Sequence, residues 1–303
     1  MTPAAPTRAA GVPRPLDRAL QSWEPTRVLR GTPDDAWTVL SEASSCVALT
    51  GAGLSTDSGV PDYRGRDAQR GTPMQFADFV GDAANRRRYW ARAYQGWASM
   101  GQATPNRGHL ALANWEHGGW PTQLAGLITQ NVDGLHPAAG SRRVVQLHGS
   151  IHQVSCLDCG GLTTRDDMQR RLAEANPGVV VQDWRGHPEL RPDGDAVVED
   201  WHDFVVPVCL ACGGSLKPDV VFFGETVPRP RVDQARDWVD HCDALLVAGS
   251  SLSVMSGLRF VRQAAGRGVP VVIINHGATR GDDLATVRLD GSVSDLLEVL
   301  VRH

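Results

Sequence analysis

The segment CVALTGAGLSTDSG, residues 46–59, decides the fold. Its first five residues form an apolar run of the length of a buried strand, and a glycine-rich turn begins at Gly51. Glycines allow a backbone to approach a pyrophosphate closely, and the N-terminus of a helix that follows such a turn favours anions. The segment predicts a nucleotide-binding strand and turn, although a turn that serves only tight packing fits the pattern equally well.

The turn departs from the usual dinucleotide fingerprint. The pattern GxGxxG would require glycine at position 56, where this sequence has Thr56. No acidic residue ends a second strand about 20 residues further on, as that fingerprint also requires. The sequence therefore argues against a dehydrogenase that transfers hydride.

Four further apolar runs follow the same plan as residues 46–50. They cover residues 124–129, 144–147, 244–248 and 270–274, and each ends in polar residues or glycine. Continuous apolar runs are typical of parallel strands that are buried on both faces. Helical patterns at residues 107–116 and 232–241 separate some of them. We expect an α/β fold with a doubly wound, Rossmann-like parallel sheet whose carboxyl edge binds the ligand.

Four of the six cysteines form two CxxC pairs, Cys156/Cys159 and Cys209/Cys212, with 49 residues between the pairs. Each pair can present two thiolates, and two pairs complete a tetrahedral zinc site. Four sulfur ligands leave no open position for water, so the expected zinc ion is structural. Four thiols without a metal are the alternative. A zinc ribbon that binds nucleic acid is disfavoured because no basic cluster surrounds the two CxxC pairs.

These patterns predict a division of the chain. Residues 1–34 are expected to be a flexible N-terminal arm, and residues 35–150 together with 217–303 the Rossmann-like domain. Residues 66–105 would be a helical insertion in that domain, and residues 151–216 a small inserted zinc-binding module.

Composition restricts the partners and the compartment. The net charge of −4 and the 21% of charged residues give no electrostatic reason to expect nucleic acid or a membrane as partner. No apolar run reaches 18 residues, the length expected of a membrane span. The first 30 residues are rich in arginine, but their prolines oppose an amphipathic targeting helix. We expect a cytoplasmic, bacterial-type protein in preference to one of the mitochondrial matrix.

Several motifs together resemble the sirtuin family over about residues 35–300. They are GAGLSTDSGVPDYRG at residues 51–65, TQNVDGLH at 129–136, LHG at 147–149, KPDVVFFGE at 217–225, GSSL at 249–252 and Asn275, with the widely spaced CxxC pairs between them. RRRYWARAYQGW at residues 86–97 and PDGD at 192–195 are similar to the class II branch, which includes the mitochondrial sirtuin with lipoamidase and ADP-ribosyltransferase activities. Tyr63 departs from the phenylalanine of many relatives but keeps an aromatic ring.

The resemblance implies an NAD-dependent protein-lysine deacylase, for acetyl or longer acyl groups, that yields nicotinamide, O-acyl-ADP-ribose and free lysine. In this family the acyl oxygen attacks the ribose carbon that bears nicotinamide, and a histidine then removes a proton from a ribose hydroxyl. By motif position that base is His148, and histidine suits this role because its ordinary pKa is near neutrality. Asn131 and Asp133 would orient the ribose and the nicotinamide, although both residue types also cap turns well.

The resemblance implies three further sets of residues. NAD, the co-substrate, would contact the glycine turn, the loop after it and three other strand ends: Gly51, Ala52, Gly53, Ser55, Gly59, Pro61, Asp62, Tyr63, Arg64, Gln130, Asn131, Val132, Asp133, Gly249, Ser250, Ser251, Asn275, His276 and Gly277. The acylated-lysine protein or peptide would pair with Val220, Val221, Phe222, Phe223 and Gly224, for which an ordinary buried strand is the alternative. One structural Zn²⁺ ion would bind Cys156, Cys159, Cys209 and Cys212.

Alternatives stay open at this point. The same pocket could serve mono-ADP-ribosyl transfer to protein, or the chain could be a non-catalytic sensor of NAD or ADP-ribose. Tyr89 and Arg92 have the Tyr-x-x-Arg spacing of a residue pair that binds acidic acyl groups in one branch of the family. We prefer a structural or solvent-exposed role for them here. Among the other histidines, His136 is expected to be structural, and His109, His152 and His276 have no comparable claim to act as the base.

Overall fold

The computed structural model describes residues 30–62, 73–181, 198 and 200–302. Several expectations lie outside these residues: the expected arm up to residue 29, the NAD contacts of Tyr63 and Arg64, the start of the helical insertion and the segment 192–195.

Strands and helices alternate along much of the described chain. The strands are β1 (Ser45–Thr50), β2 (Gln123–Thr129), β3 (Val144–Gln146), β4 (Gly149–Cys156), β5 (Leu162–Thr164), β6 (Leu216–Val220), β7 (Ala244–Ala248), β8 (Val271–Asn275) and β9 (Val287–Asp290). The helices are α1 (Pro33–Ser41), α2 (Phe76–Gly81), α3 (Ala83–Met100), α4 (Arg107–Glu116), α5 (Leu135–Ala138), α6 (Arg165–Ala175), α7 (Arg229–Asp240), α8 (Met255–Gly266) and α9 (Val293–Arg302). Short 3₁₀ turns span Ala52–Leu54, Thr56–Ser58 and Asp282–Leu284.

Within the described ranges the large sheet is parallel, with the order β3-β2-β1-β7-β8-β9. The strand order reverses on either side of β1, which pairs with β2 on one edge and with β7 on the other. Adjacent connections therefore leave the sheet in opposite directions there, and a crevice opens at the carboxyl ends of β1 and β7. This is the expected doubly wound architecture, and it places the binding edge beside the glycine turn.

Helices cover both faces of this sheet. Side chains of β1 alternate, so that Cys46 and Ala48 join a core with α1, α4 and α9, whereas Val47 and Leu49 join a core with α7 and α8. All four side chains are fully buried, which explains why the strand reads as a continuous apolar run.

The five predicted strands are all present in the large sheet, and two features differ from the expectation. A sixth strand, β9, was not predicted, because its sequence VRLD carries two charged residues. Arg288 is nevertheless buried and pairs with Asp282 at 3.0 Å. The glycine turn continues into two 3₁₀ turns and not directly into an α-helix.

A smaller antiparallel sheet, with the order β5-β4-β6, forms the second part of the fold. Helices α3 and α6 pack against it in a separate core, and the indole of the fully buried Trp90 donates a hydrogen bond to Leu216 O at 2.9 Å. Strand β4 begins one residue after His148. The small module is therefore joined directly to the candidate base. In the described part of the chain, no helix combines the length and the apolar character that a bilayer crossing requires.

Candidate active site and metal centre

A cleft of about 720 Å³ opens at the carboxyl edge of the large sheet. Its size lies within the range of pockets that bind cofactors and drug-sized ligands. Most of the residues predicted from sequence line it, and they come from the ends of several strands: Gly51, Ala52, Gly53, Ser55, Asp62, Gln130, Asn131, Val132, Asp133, His148, Val220, Val221, Phe222, Phe223, Gly224, Gly249, Ser250, Ser251, Asn275, His276 and Gly277. Gly59 and Pro61 do not line the cleft.

Two glycine loops form part of the cleft wall by backbone contact. Gly53 N donates to Gly249 O at 2.8 Å, and a Cβ at Gly51 would lie 2.8 Å from the same oxygen. Gly249 has φ +67°, and a Cβ there would lie 2.3 Å from Leu54 N. Only glycine allows this approach, which leaves the space next to the loops free for a phosphate-bearing ligand.

His148 lies in the cleft with both ring nitrogens engaged. Its Nδ1 lies 2.9 Å from Gln130 O, and its Nε2 lies 2.9 Å from Ser256 Oγ. Burial lowers the pKa of His148, the hydrogen bond to the Gln130 carbonyl opposes this, and the positive charges of Arg231 and Arg259 lower the pKa further. At neutral pH the ring is therefore neutral, which is the form that can accept a proton.

A buried polar cluster lies beside His148. Ser55 Oγ donates to Asp133 Oδ2 at 2.7 Å, and Asn131 Nδ2 donates to Gly51 O and Ser55 Oγ at 3.0 Å each. Asp133 also accepts a hydrogen bond from Leu135 N, so it caps the local turn as well as lining the cleft. The predicted capping role is therefore present, and the predicted role toward the ribose and nicotinamide stays a prediction.

The cluster also includes His109, for which no role as a base was predicted from sequence. His109 Nε2 lies 3.5 Å from Ser55 Oγ, and burial lowers the pKa of His109 to about 4, with the Asp133 charge opposing this shift. The signal that could have found it is the capping box at the start of α4, where Asn106 and His109 bond each other. His136 lies deeper, 2.9 Å from Thr50 Oγ1, and burial lowers its pKa well below the ordinary value.

Polar side chains that follow β7 and end β8 also line the cleft and are held in place by hydrogen bonds. Ser250 Oγ donates to Gln130 Oε1 at 2.6 Å. Asn275 Nδ2 donates to the carbonyls of His276 and Gly277, at 3.0 and 2.9 Å, so this amide shapes the turn after β8.

The predicted substrate segment, residues 220–224, leaves the small sheet at the end of β6 and lines the cleft. Val221 N donates to His148 O at 2.8 Å, which fixes the segment beside the base. Phe222 is 6% exposed and packs edge-to-face on Phe79 and Tyr89, with ring centroids 5.2 and 5.1 Å away. Phe222 therefore belongs both to the core of the small module and to the wall of the cleft. Tyr89 belongs to the core behind this segment and does not line the cleft.

Lys217 and Glu225 join the two ends of this segment. The buried Lys217 Nζ donates to Pro218 O, Val220 O and Glu225 Oε2, so all three of its protons are used. Burial lowers the pKa of Lys217 and the Glu225 carboxylate opposes this. No role was predicted from sequence for Lys217, Glu225, Ser256 or Arg259, although the last three line the cleft.

The four predicted ligand cysteines come together at the tip of the small module. Their sulfur atoms all lie within 4.8 Å of one another, with Cys156 to Cys212 at 3.5 Å and Cys159 to Cys209 at 3.8 Å. Four sulfurs bound tetrahedrally to zinc at about 2.3 Å would lie about 3.8 Å apart, so the donor set and its spacing fit one Zn²⁺ ion.

The two CxxC turns have matching backbones. Each is followed by a glycine of positive φ, Gly160 (+70°) and Gly213 (+75°), whose N–H donates to the carbonyl of the first cysteine of its pair. Hydrogen bonds from the backbone of Ala211 and Cys212 lower the pKa of Cys209 to about 7. Thiolate is the form that binds zinc, and the backbone of this turn favours it at Cys209. The pKa of Cys212 is instead raised to about 12: its hydrogen bond with the Gly214 backbone lowers it, but the neighbouring sulfurs of Cys159 and Cys156 raise it more.

Comparisons with known proteins agree with this geometry. Residues 51–256 match the sequence model of the Sir2 family. The chain is 52% identical over 253 residues to NAD-dependent protein deacetylase 1 of Mycobacterium avium, covering 83% of this chain and 89% of that protein. It is 47% identical over 264 residues to the mitochondrial NAD-dependent protein lipoamidase sirtuin-4 of Bos taurus, covering 84% and 81%.

A solved structure, described as Sir2 with a p53 peptide and NAD⁺, aligns with a TM-score of 0.72 and 29% identity, covering 90% of this chain and 98% of that one. The family match spans more than half of the chain, and the curated relatives are well above 30% identical over most of it. This chain therefore belongs to the Sir2 family.

Proposed function

We propose that this protein is an NAD-dependent protein-lysine deacylase. One observation carries the proposal: the glycine loops, the Asn131–Asp133 cluster and the neutral imidazole of His148 line one continuous cleft. NAD and one water molecule are consumed as substrates: the bond of NAD to nicotinamide breaks, the acyl group passes from lysine to ADP-ribose, and water supplies the oxygen and hydrogens that the products gain. The protein supplies binding, orientation and a base.

Different residues along the cleft are proposed to bind different parts of NAD. Gly51, Gly53 and Gly249 leave space for the pyrophosphate, and Ser250 and Asn275 hold the adenosine half. Asn131 and Asp133, each buried and hydrogen-bonded to Ser55, hold the nicotinamide ribose. Their preset positions mean that little ordering is needed when the substrate binds.

His148 is the proposed general base. Gln130 O accepts a hydrogen bond from Nδ1–H, which leaves the Nε2 lone pair to take a proton from a ribose hydroxyl. The burial-lowered pKa keeps the ring neutral at physiological pH, so most molecules are in the active form.

The acylated peptide is proposed to lie along residues 220–224 as an added strand. Val60, Val132 and Phe222 give the neighbouring part of the cleft an apolar lining, which suits an acyl chain without charge. The zinc ion would act only structurally, because four thiolates fill its coordination sphere. The predicted domain division and a bacterial cytoplasmic location are kept as proposals, the location on the support of relatives such as that of Mycobacterium avium.

The test is an assay of purified protein with NAD and one peptide carrying acetyl-, lipoyl- or long-chain acyl-lysine in turn. We expect nicotinamide and O-acyl-ADP-ribose in equal amounts by mass spectrometry, and neither product above background with the double variant Asn131→Ala/His148→Ala. ADP-ribosylated protein in place of O-acyl-ADP-ribose would favour the transferase alternative. No nicotinamide with any peptide, or without peptide, would overturn the proposal.

A further inference from the structure

Ser256 lies in the first turn of α8, far from His148 in sequence, and its hydroxyl contacts the ring nitrogen that the reaction needs. Its Oγ is 2.9 Å from His148 Nε2. Binding of NAD, orientation of the ribose and proton removal, as assigned to the residues above, leave Ser256 without a role.

The hydrogen bonding of the ring decides which atom donates. Gln130 O can only accept, so the proton of the neutral imidazole is on Nδ1. Nε2 then carries the lone pair, and the Ser256 hydroxyl must donate to it. The Gln130 carbonyl therefore selects the tautomer that a general base at Nε2 requires, and the Ser256 hydroxyl fixes the direction in which Nε2 points.

The neighbouring glycine leaves room for the Gln130 amide. A Cβ at Gly257 would lie 2.7 Å from that amide, so a larger residue would displace the Gln130 side chain from the start of α8. Gln130 in turn bonds His148 through its carbonyl and Ser250 through its side chain. Helix α8 and the turn after β2 thus hold the imidazole from opposite edges.

We propose that Ser256 is a positioning residue for the base: its hydroxyl holds the ring of His148, and with it the Nε2 lone pair, in the orientation required for proton transfer until the substrate hydroxyl replaces it. The proposal rests on the deacylase function proposed above. It concerns only the step in which the base acts, because cleavage of the bond to nicotinamide does not use His148 as a base.

Two readouts separate that step from binding and folding. Deacylation needs the base, whereas incorporation of isotopically labelled nicotinamide into NAD needs only reversible cleavage of the first bond. Ser256→Ala should lower kcat for deacylation about tenfold, since small misplacements of a catalytic group are costly. Nicotinamide exchange should stay at the wild-type rate or rise, and the KM for NAD should change less than about twofold.

Ser256→Thr keeps the hydroxyl and should restore deacylation to within about threefold of wild type. Met255→Ala is the matched control, since this neighbouring side chain is 45% exposed and does not line the cleft. It should match wild type in both assays, and melting curves of all variants should coincide.

The proposal is overturned if Ser256→Ala lowers exchange and deacylation by the same factor, if it leaves deacylation within about twofold of wild type, or if it raises it. It is also overturned if Ser256→Thr behaves like Ser256→Ala. A wild-type protein that releases no nicotinamide would instead refute the deacylase function itself, so the two failures can be told apart.

Discussion

The ion pair of Lys217 and Glu225 gives the sharpest test of how the substrate segment is held. Lys217→Met removes an ammonium whose side chain is 6% exposed and whose three protons bond Pro218 O, Val220 O and Glu225 Oε2. The variant keeps most of the volume of the side chain and its contact with the ring of Phe222, whose centroid lies 4.8 Å from Nζ. The substitution therefore removes mainly the hydrogen bonds and the ion pair of Lys217.

The expected loss of stability follows from the polar groups that lose Lys217 as their partner. Glu225 keeps the hydrogen bond from the N–H of Phe222, at 2.8 Å, but loses the ammonium. The carbonyl oxygens of Pro218 and Val220 each lose the hydrogen bond that Lys217 donated. Removing one partner of a buried ion pair costs about 3–5 kcal/mol, because an uncompensated charge remains. We expect Lys217→Met to lower the free energy of unfolding by about 3 kcal/mol, since Glu225 retains some exposure.

The double variant Lys217→Met/Glu225→Gln distinguishes an ion pair from simple packing. It removes the stranded charge, so it should be more stable than the sum of the two single variants predicts, by about 2 kcal/mol. Urea unfolding followed by tryptophan fluorescence measures all four proteins. The KM for an acetylated peptide should rise more than kcat falls, because residues 220–224 lose their tether.

The matched control is the neighbouring pair of Arg231 and Asp219, whose side chains are 27% and 25% exposed. Arg231→Met should cost about 1 kcal/mol or less, as is usual for pairs that water reaches. Strictly additive effects of the Lys217 and Glu225 substitutions, or a cost for Lys217→Met no larger than for Arg231→Met, would refute this account of the segment.

His148→Ala should reduce deacylation by about 10²–10⁴-fold with an unchanged melting curve, and retained turnover would show that another group is the base. In wild type, kcat/KM should rise with pH through a pKa below 6.5, because the neutral ring is active and burial favours it; an acid limb above 6.5 would contradict this. Cys156→Ser should lose zinc by atomic absorption and melt at a lower temperature, since structural zinc contributes on the order of 10 kcal/mol; a zinc-free variant with a wild-type melting curve would be inconsistent with a structural site. Gly51→Ala should raise the KM for NAD at least about tenfold, since its Cβ would meet Gly249 O at 2.8 Å, whereas Gly81→Ala, with open space around it, should not; equal effects would argue against the loop contact.

The sequence alone was sufficient for five of the six strands described in the large sheet and for the candidate metal centre. Strands such as β1 and β7 are buried on both faces, so their apolar runs are visible without knowledge of their neighbours. Strand β9 was missed because Arg288 is compensated by Asp282, a partner that no local pattern reveals. The zinc ligands were predictable because each CxxC turn places two sulfurs by local backbone geometry.

The contacts that make the cleft a working site were decided by the tertiary structure. The sequence singled out His148 through a motif, but it contained no sign that Ser256 would face Nε2 or that His109 would join Ser55 and Asp133. The periodicity and spacing of residues in the sequence indicate which side of a strand or helix is buried. Such patterns describe one element at a time and not its contacts with others. Which hydroxyl meets which ring nitrogen depends on how helices from distant parts of the chain pack against the strand ends, and that is settled only when the whole core assembles.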